Sequence, residues 1–92
     1  MRIISQNGAI DVPYEMSAIR NEDNVIILNM AGETGKGSVI ARYSTSEKAE
    51  KSMEMLHEKY KDYAKATNKS NFFTMFDYPK VFQFPQDEDV EV

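Results

Sequence analysis

The sequence predicts an α+β fold: an antiparallel sheet of about four to five strands, one long helix packed across it, and an aromatic C-terminal segment. Three observations predict this class. Short β-rich runs separated by turn residues fill the first half of the chain, and one stretch with helical apolar periodicity follows them. Six of the ten aromatic residues then lie within thirteen positions near the end. A chain of 92 residues has room for a single small domain with a modest core.

The first two strands are predicted over 2–5 and 9–12, as a hairpin. Asn7 and Gly8 between them are a strong hairpin signal, because both tolerate the positive φ of a type I′ turn. Pro13 has no amide hydrogen to give to a ladder, so it predicts a sheet edge or a kink at the end of the second strand.

The rest of the first half is predicted to continue as a meander. Tyr14, Met16 and Ala18 alternate with other residues in the pattern of a half-buried strand. Further along the sequence predicts a turn over 21–24, a strand over 25–30, a glycine-bearing loop over 31–37 and a strand over 38–43.

The helix is predicted from about 45 to about 66. The run Ser44-Thr45-Ser46-Glu47 has the pattern of a capping box, in which a hydroxyl caps the helix and Glu47 reaches back. At 100° per residue one face is predicted to pack on the sheet. That face consists of Ala49, Met53, Leu56, Tyr60, Tyr63 and Ala64.

The opposite helix face carries an acidic ridge, defined as Glu47, Glu50, Glu54 and Glu58. Like charges at this spacing cost a few tenths of a kcal/mol per pair. Such a ridge is a candidate contact surface for a basic partner. The alternative is an ordinary solvated face, since lysines 51, 61 and 65 project into the same sector.

The aromatic segment gives a second set of candidate contact residues. Most of its rings are needed to close a small core, and 80–84 alternates like one more strand, stopped by Pro85. Phe72 and Phe73 are adjacent and must diverge in a strand. A ring left outside the core would form an apolar patch for a homodimer or a partner. The candidates are Phe72, Phe73 and Phe76.

The negative charge is concentrated at the C-terminus. We divide the chain into one α+β domain over 1–85, which holds 11 acidic and 11 basic residues, and an acidic tail over 86–92. The tail is expected to be solvated and frayed, or to dock on a basic partner. A pI of about 4.9 and no basic stripe argue against direct, sequence-specific binding of nucleic acid. The candidate tail residues are Asp87, Glu88, Asp89 and Glu91.

Catalytic chemistry is not indicated. Gly35, Lys36 and Gly37 suggest a weak anion-binding loop, but the spacing of the surrounding glycines departs from a phosphate-binding loop and a strand follows it. His57 is the single histidine and there are no cysteines, so no metal-ligand set is expected. We therefore expect no enzyme activity, no cofactor and no metal. No stretch is apolar enough for a membrane span, and a cytoplasmic location is expected.

Three stretches resemble a group of short proteins from Gram-positive bacteria of the Firmicutes type and their phages and prophages. They are MRIISQNGAIDVPYE at 1–15, YSTSEKAEKSMEML at 43–56 and VFQFPQDEDVEV at 81–92. The resemblance implies a mobile-element context in a host bacterial cell, and it carries over no functional residue. Small phage accessory proteins often bind and block a host machine, anti-CRISPR and other anti-defence inhibitors among them.

The sequence thus predicts a small non-enzymatic accessory protein that binds and modulates or inhibits a host protein complex, such as a nucleic-acid-handling or defence complex. Two alternatives stay open. One is an oligomeric protein that sequesters a nucleotide or other small ligand as an anti-defence device. The other is a phage structural or interaction protein, with a phage protein or a second copy as its partner.

Overall fold

The computed structural model describes residues 1–68 and 81–92 and confirms the α+β class. The strands are β1 (Arg2–Ile4), β2 (Asp11–Pro13), β3 (Ser17–Glu22), β4 (Val25–Met30), β5 (Ser38–Arg42) and β6 (Val81–Gln83). The helices of the described part are α1 (Ser46–Asn68) and two short 3-10 helices, Tyr14–Met16 and Asp87–Asp89.

The strands form two three-stranded sheets, so the predicted single antiparallel sheet is not confirmed. The first sheet has the order β2-β1-β6, in which β1 is antiparallel to β2 and parallel to β6. The second sheet has the order β3-β4-β5 and is antiparallel throughout. The parallel pair joins the two ends of the chain, which no local pattern in the sequence encodes.

Pro13 is where the predicted meander breaks. It is the last residue of the outer strand β2, which confirms the predicted edge position. With φ −67° and no amide hydrogen it leads directly into the 3-10 helix Tyr14–Met16. The strand predicted to include Tyr14 and Met16 therefore begins only at Ser17, in the other sheet.

The turn at Asn7 and Gly8 lies between β1 and β2 as predicted, but its type is different. Gly8 has φ +78° and donates its amide to Ser5 O at 2.9 Å. The backbone of Asn7 does not have a positive φ, so the prediction of a type I′ turn is wrong. Its Oδ1 accepts a hydrogen bond from Ala9 N at 3.0 Å instead, an Asx turn that uses the side chain.

The helix prediction is confirmed in its extent and its buried face. Ala49 and Leu56 have no exposed surface, Met53, Tyr60 and Tyr63 are partly buried, and the helix packs against β3 and β4. The cap differs: Thr45 Oγ1 accepts the hydrogen bond from Lys48 N at 3.2 Å. This places the cap one residue later than the capping box requires.

One core joins both sheets to the helix. Ile3 of β1 and Phe82 of β6 lie opposite each other in the first sheet, and Phe82 meets Phe84 edge-on with ring centroids 5.1 Å apart. From the second sheet the core takes Ile26, Leu28, Ile40 and Ala41. Phe82 and Phe84 are thus buried, whereas the predicted aromatic segment as a whole is not confirmed, since Phe72, Phe73 and Phe76 lie outside the described residues.

The C-terminal residues are folded onto the domain, so the expectation of a frayed, solvated end is wrong. Val90 is only 3% exposed and belongs to the core. Phe84 N donates to Ile4 O at 3.1 Å, and the Tyr43 hydroxyl donates to Pro85 O at 2.9 Å. Burial raises the pKa of that hydroxyl. Val90, which lies between Asp89 and Glu91, anchors the C-terminal residues on the domain because burial of its apolar side chain is favourable.

Candidate functional site: the outer face of the helix

The acidic ridge lies on the exposed side of α1, as predicted. All four of its glutamates are exposed, and Glu54 forms an ion pair with Lys51 at 3.4 Å. Within the described ranges, Glu47, Glu50 and Glu58 accept no hydrogen bond and form no ion pair. An exposed pair such as Lys51–Glu54 contributes little to stability. The hydrogen bonds and ion pairs of these carboxylates therefore contribute little to the stability of the fold.

The helix as a whole is not an acidic rod. Its five acidic residues are matched by five lysines, so that its net side-chain charge is zero at neutral pH. The ridge is consequently not uniformly negative, because lysines 51, 61 and 65 project into the same sector. A face of mixed charge sets the orientation of a charged partner as well as attracting it.

A shallow depression runs along the same face of α1. Glu54 and Glu58 line it together with His57 and Met55, whose side chain is 37% exposed. A thioether beside carboxylates and an imidazole offers a partner both an adaptable apolar contact and polar groups. This combination of Met and charge was not anticipated from the sequence, where Met55 lies on the flank of the predicted core face.

The acidic tail divides into one residue that holds the fold and three that face solvent. Asp87 Oδ1 accepts a hydrogen bond from Ser44 N at 2.7 Å, just before α1, and Lys48 Nζ approaches Oδ2 at 3.5 Å. The hydrogen bond from Ser44 and the charge of Lys48 lower the pKa of Asp87. The exposed acids are Glu88, Asp89 and Glu91.

The glycine loop, residues 31–37, is held by hydrogen bonds from side chains of β3 and β4. Arg20 donates to Glu22, to Asn29 Oδ1 at 2.7 Å and to the carbonyl of Lys36 at 3.0 Å, and the Asn29 amide donates to Gly35 O. The amides of Ala31 and Glu33 also donate, to Met16 O and Met30 O. These hydrogen bonds hold the loop against its own sheet.

A tyrosine cluster between the 3-10 helix and α1 was missed. Tyr14 and Tyr60 lie with ring centroids 4.4 Å apart, and Tyr63 continues the row at 5.9 Å from Tyr60. A groove of about 340 Å³ opens beside them, lined also by Ile19 and Met53. Burial, with Tyr60 and Glu15 nearby, raises the pKa of Tyr14. Tyr60 and Tyr63 were on the predicted helix face, but Tyr14 was assigned to a strand, which hid the cluster.

Among residues 1–68 and 81–92 no three His, Asp or Glu side chains are grouped as metal ligands. In that part of the chain no helix combines the length and apolarity needed to cross a bilayer. No protein-family model, curated protein or solved structure matches the chain. The outer face of α1 is therefore assessed on its own geometry.

Proposed function

We propose that this protein is a non-catalytic binding protein of a mobile genetic element, which modulates or inhibits a host protein complex through the outer face of α1. The proposal rests on the contact surface, and the resemblance to short phage and prophage proteins supplies the biological setting.

The observation that carries the proposal is the pattern of ridge contacts. Three of its four carboxylates form no hydrogen bond or ion pair with another described residue, and the fourth makes one exposed ion pair. Like charges one helical turn apart disfavour the helix slightly. A function in binding explains why such a line of charge is present on a face that the fold does not need.

The chemistry of the partner follows from this face. Lys or Arg side chains at about one-turn spacing, near 5–6 Å, would meet the carboxylates in sequence. Met55 would give the contact an apolar centre, with the charges as its rim. A host protein with a basic surface, such as one that itself handles nucleic acid, fits this description.

The test is affinity capture from a lysate of a Firmicutes host, with and without nuclease, followed by mass spectrometry. The tagged wild-type chain is expected to retain one host protein in stoichiometric amount after nuclease treatment and to release it at high salt. Capture that disappears with nuclease would instead indicate a nucleic-acid tether and contradict the proposal.

Two matched triple variants locate the surface. Glu50/Glu54/Glu58→Lys reverses the ridge, and Glu88/Asp89/Glu91→Lys makes the same change in net charge on exposed acids at the C-terminus. Only the ridge variant is expected to lose the captured protein. Equal loss in both would show that total charge, and not the helix face, governs capture.

A further inference from the structure

The two outer edges of the antiparallel sheet differ in how their main-chain groups are satisfied. At the β5 edge Gln6 N donates to Ile40 O at 2.8 Å, and the Gln6 side chain bonds both the amide and the carbonyl of Arg42. Two residues beyond β5, Ser44 N donates to Asp87 Oδ1. This edge is closed to any further strand.

Among residues 1–68 and 81–92, nothing pairs with the outer edge of β3, which we call the open edge. Ala31 N donates to Met16 O, and Ser17 pairs with Met30, so the ladder to β4 uses the amides and carbonyls of Ala18, Arg20 and Glu22. Those of Ile19 and Asn21 therefore point away from β4. No residue of the described ranges bonds them. An unprotected edge of six residues without proline is a template for a further strand.

Apolar surface lies beside the open groups. The groove between β3 and α1 is lined by Ile19 itself, Met53, Tyr14 and Tyr60. Met16, just before β3, is 53% exposed. A strand added to β3 would complete the main-chain hydrogen bonds and would also place side chains over this groove.

We propose that the β3 edge pairs with the β3 edge of a second copy, in an antiparallel register centred on Ile19. Two Ile19 residues would then exchange both hydrogen bonds, and each Asn21 amide would donate to the Ser17 carbonyl of the other copy. The Ser17 amide is not needed, because it already donates to Tyr14 O.

A second copy fits this edge because the open groups are symmetric about Ile19 and a twofold pairing closes on itself. In this register Arg20 faces Ala18 of the second copy and no like charges are directly opposed. The two Arg20 residues lie diagonally, and each is neutralised by its own Glu22 at 3.0 Å. The other uncapped outer strands, β2 and β6, have only three residues each.

The first test is the molar mass of the wild-type chain by sedimentation equilibrium from micromolar to millimolar concentration. A concentration-dependent rise toward twice 10.6 kDa is expected. Asn21→Pro removes an outward amide at an exposed position and should raise the dimer dissociation constant by about tenfold or more. Asn21→Ala, which keeps the amide, should leave it within about threefold of wild type.

Amide hydrogen exchange places the interface without any variant. The amides of Ile19 and Asn21 should gain protection as concentration rises, while those of Ala18 and Arg20, bonded to β4, stay protected throughout. A monomer at every concentration overturns the proposal, including the case in which an extended peptide of another protein occupies this edge. A dimer without concentration-dependent protection of Ile19 and Asn21 overturns it as well, because another surface would then form the dimer.

Discussion

The Gln6 side chain pairs with the main chain of Arg42 as another strand would. Its Oε1 accepts from Arg42 N at 3.0 Å, and its Nε2 donates to Arg42 O at 3.1 Å. The same Nε2 lies 3.1 Å from Pro85 O, so one carboxamide ties β5 to the segment that follows β6. This residue links the two sheets and closes one edge of the second.

Replacing Gln6 by Ala should therefore destabilise the protein. The change removes three hydrogen bonds, two to the main chain of Arg42 and one to Pro85 O, which should together cost about 1–3 kcal/mol in the free energy of unfolding. Urea denaturation monitored by circular dichroism measures it. Gln86→Ala is the matched control, since Gln86 Nε2 makes one exposed hydrogen bond to Gln6 O and should cost under about 1 kcal/mol. Equal losses would show that the Gln6–Arg42 pair does not hold the sheets together.

The docking of Asp87 predicts a pH dependence of stability. Its pKa in the folded protein lies below the ordinary 3.8, so ionised Asp87 contributes stability that is fully present above that value. The contribution is lost as the pH falls through the lower folded pKa. Asp87→Asn should hence be less stable than wild type near neutral pH, with a gap that shrinks as the pH falls below about 4.

Thermal unfolding across this pH range measures the gap. Asp89→Asn is the control, because Asp89 lies exposed in the same short helix and, among the described residues, forms no hydrogen bond or ion pair with Ser44 or Lys48. A gap for Asp87→Asn that stays constant from neutral to acid pH would contradict the stabilising role of ionised Asp87.

The glycine loop predicts a difference between two similar substitutions. Gly37 has φ +80°, and a Cβ there would lie 2.7 Å from Asn29 Oδ1 and 2.8 Å from Leu28 O. Gly37→Ala should cost about 2–4 kcal/mol, from left-handed strain plus overlap. Gly32→Ala has a similar φ of +85° with open space around the Cβ and should cost about 1 kcal/mol. Indistinguishable midpoints in urea would refute the packing of the loop on β4.

The same loop predicts no nucleotide binding. Arg20 is occupied by Glu22, Asn29 and the Lys36 carbonyl, which leaves the Lys36 ammonium as the main positive group of the loop. The melting temperature should not rise with mono-, di- or cyclic nucleotides, since a ligand stabilises only what it binds. A rise that Lys36→Ala abolishes would support the sequestering alternative instead.

Local chemistry made part of this fold predictable. The helix and its buried face follow from a 3.6-residue pattern, and β4 follows from an apolar run that is covered on both sides, with Ile26 and Ile27 each under 9% exposed. The turn at Gly8 follows from the freedom of glycine to adopt a positive φ, and the break at Pro13 follows from its missing amide hydrogen.

The remaining features depend on partners distant in sequence. Gln6 reads as a polar turn residue until Arg42 is placed beside it, and Asp87 reads as a solvated acid until Ser44 lies within 2.7 Å. The open edge of β3 has the same origin: alternation predicts a strand, but only the topology shows that no other described strand bonds the main chain of Ile19 and Asn21. For the ridge, the sequence predicted exposure, and the sparse pairing of its carboxylates needed the structure.

The most direct measurement of the proposed function is the kinetics with which the captured host protein binds three forms of this chain. These are the wild type, Glu50/Glu54/Glu58→Lys and Glu50/Glu54/Glu58→Gln, each first shown to melt as a folded protein. At low ionic strength the Lys variant should associate at least about tenfold more slowly than wild type, with the Gln variant between them and a weaker salt dependence in both. Association rates equal to wild type in both variants would contradict the claim that the outer face of α1 is the binding surface.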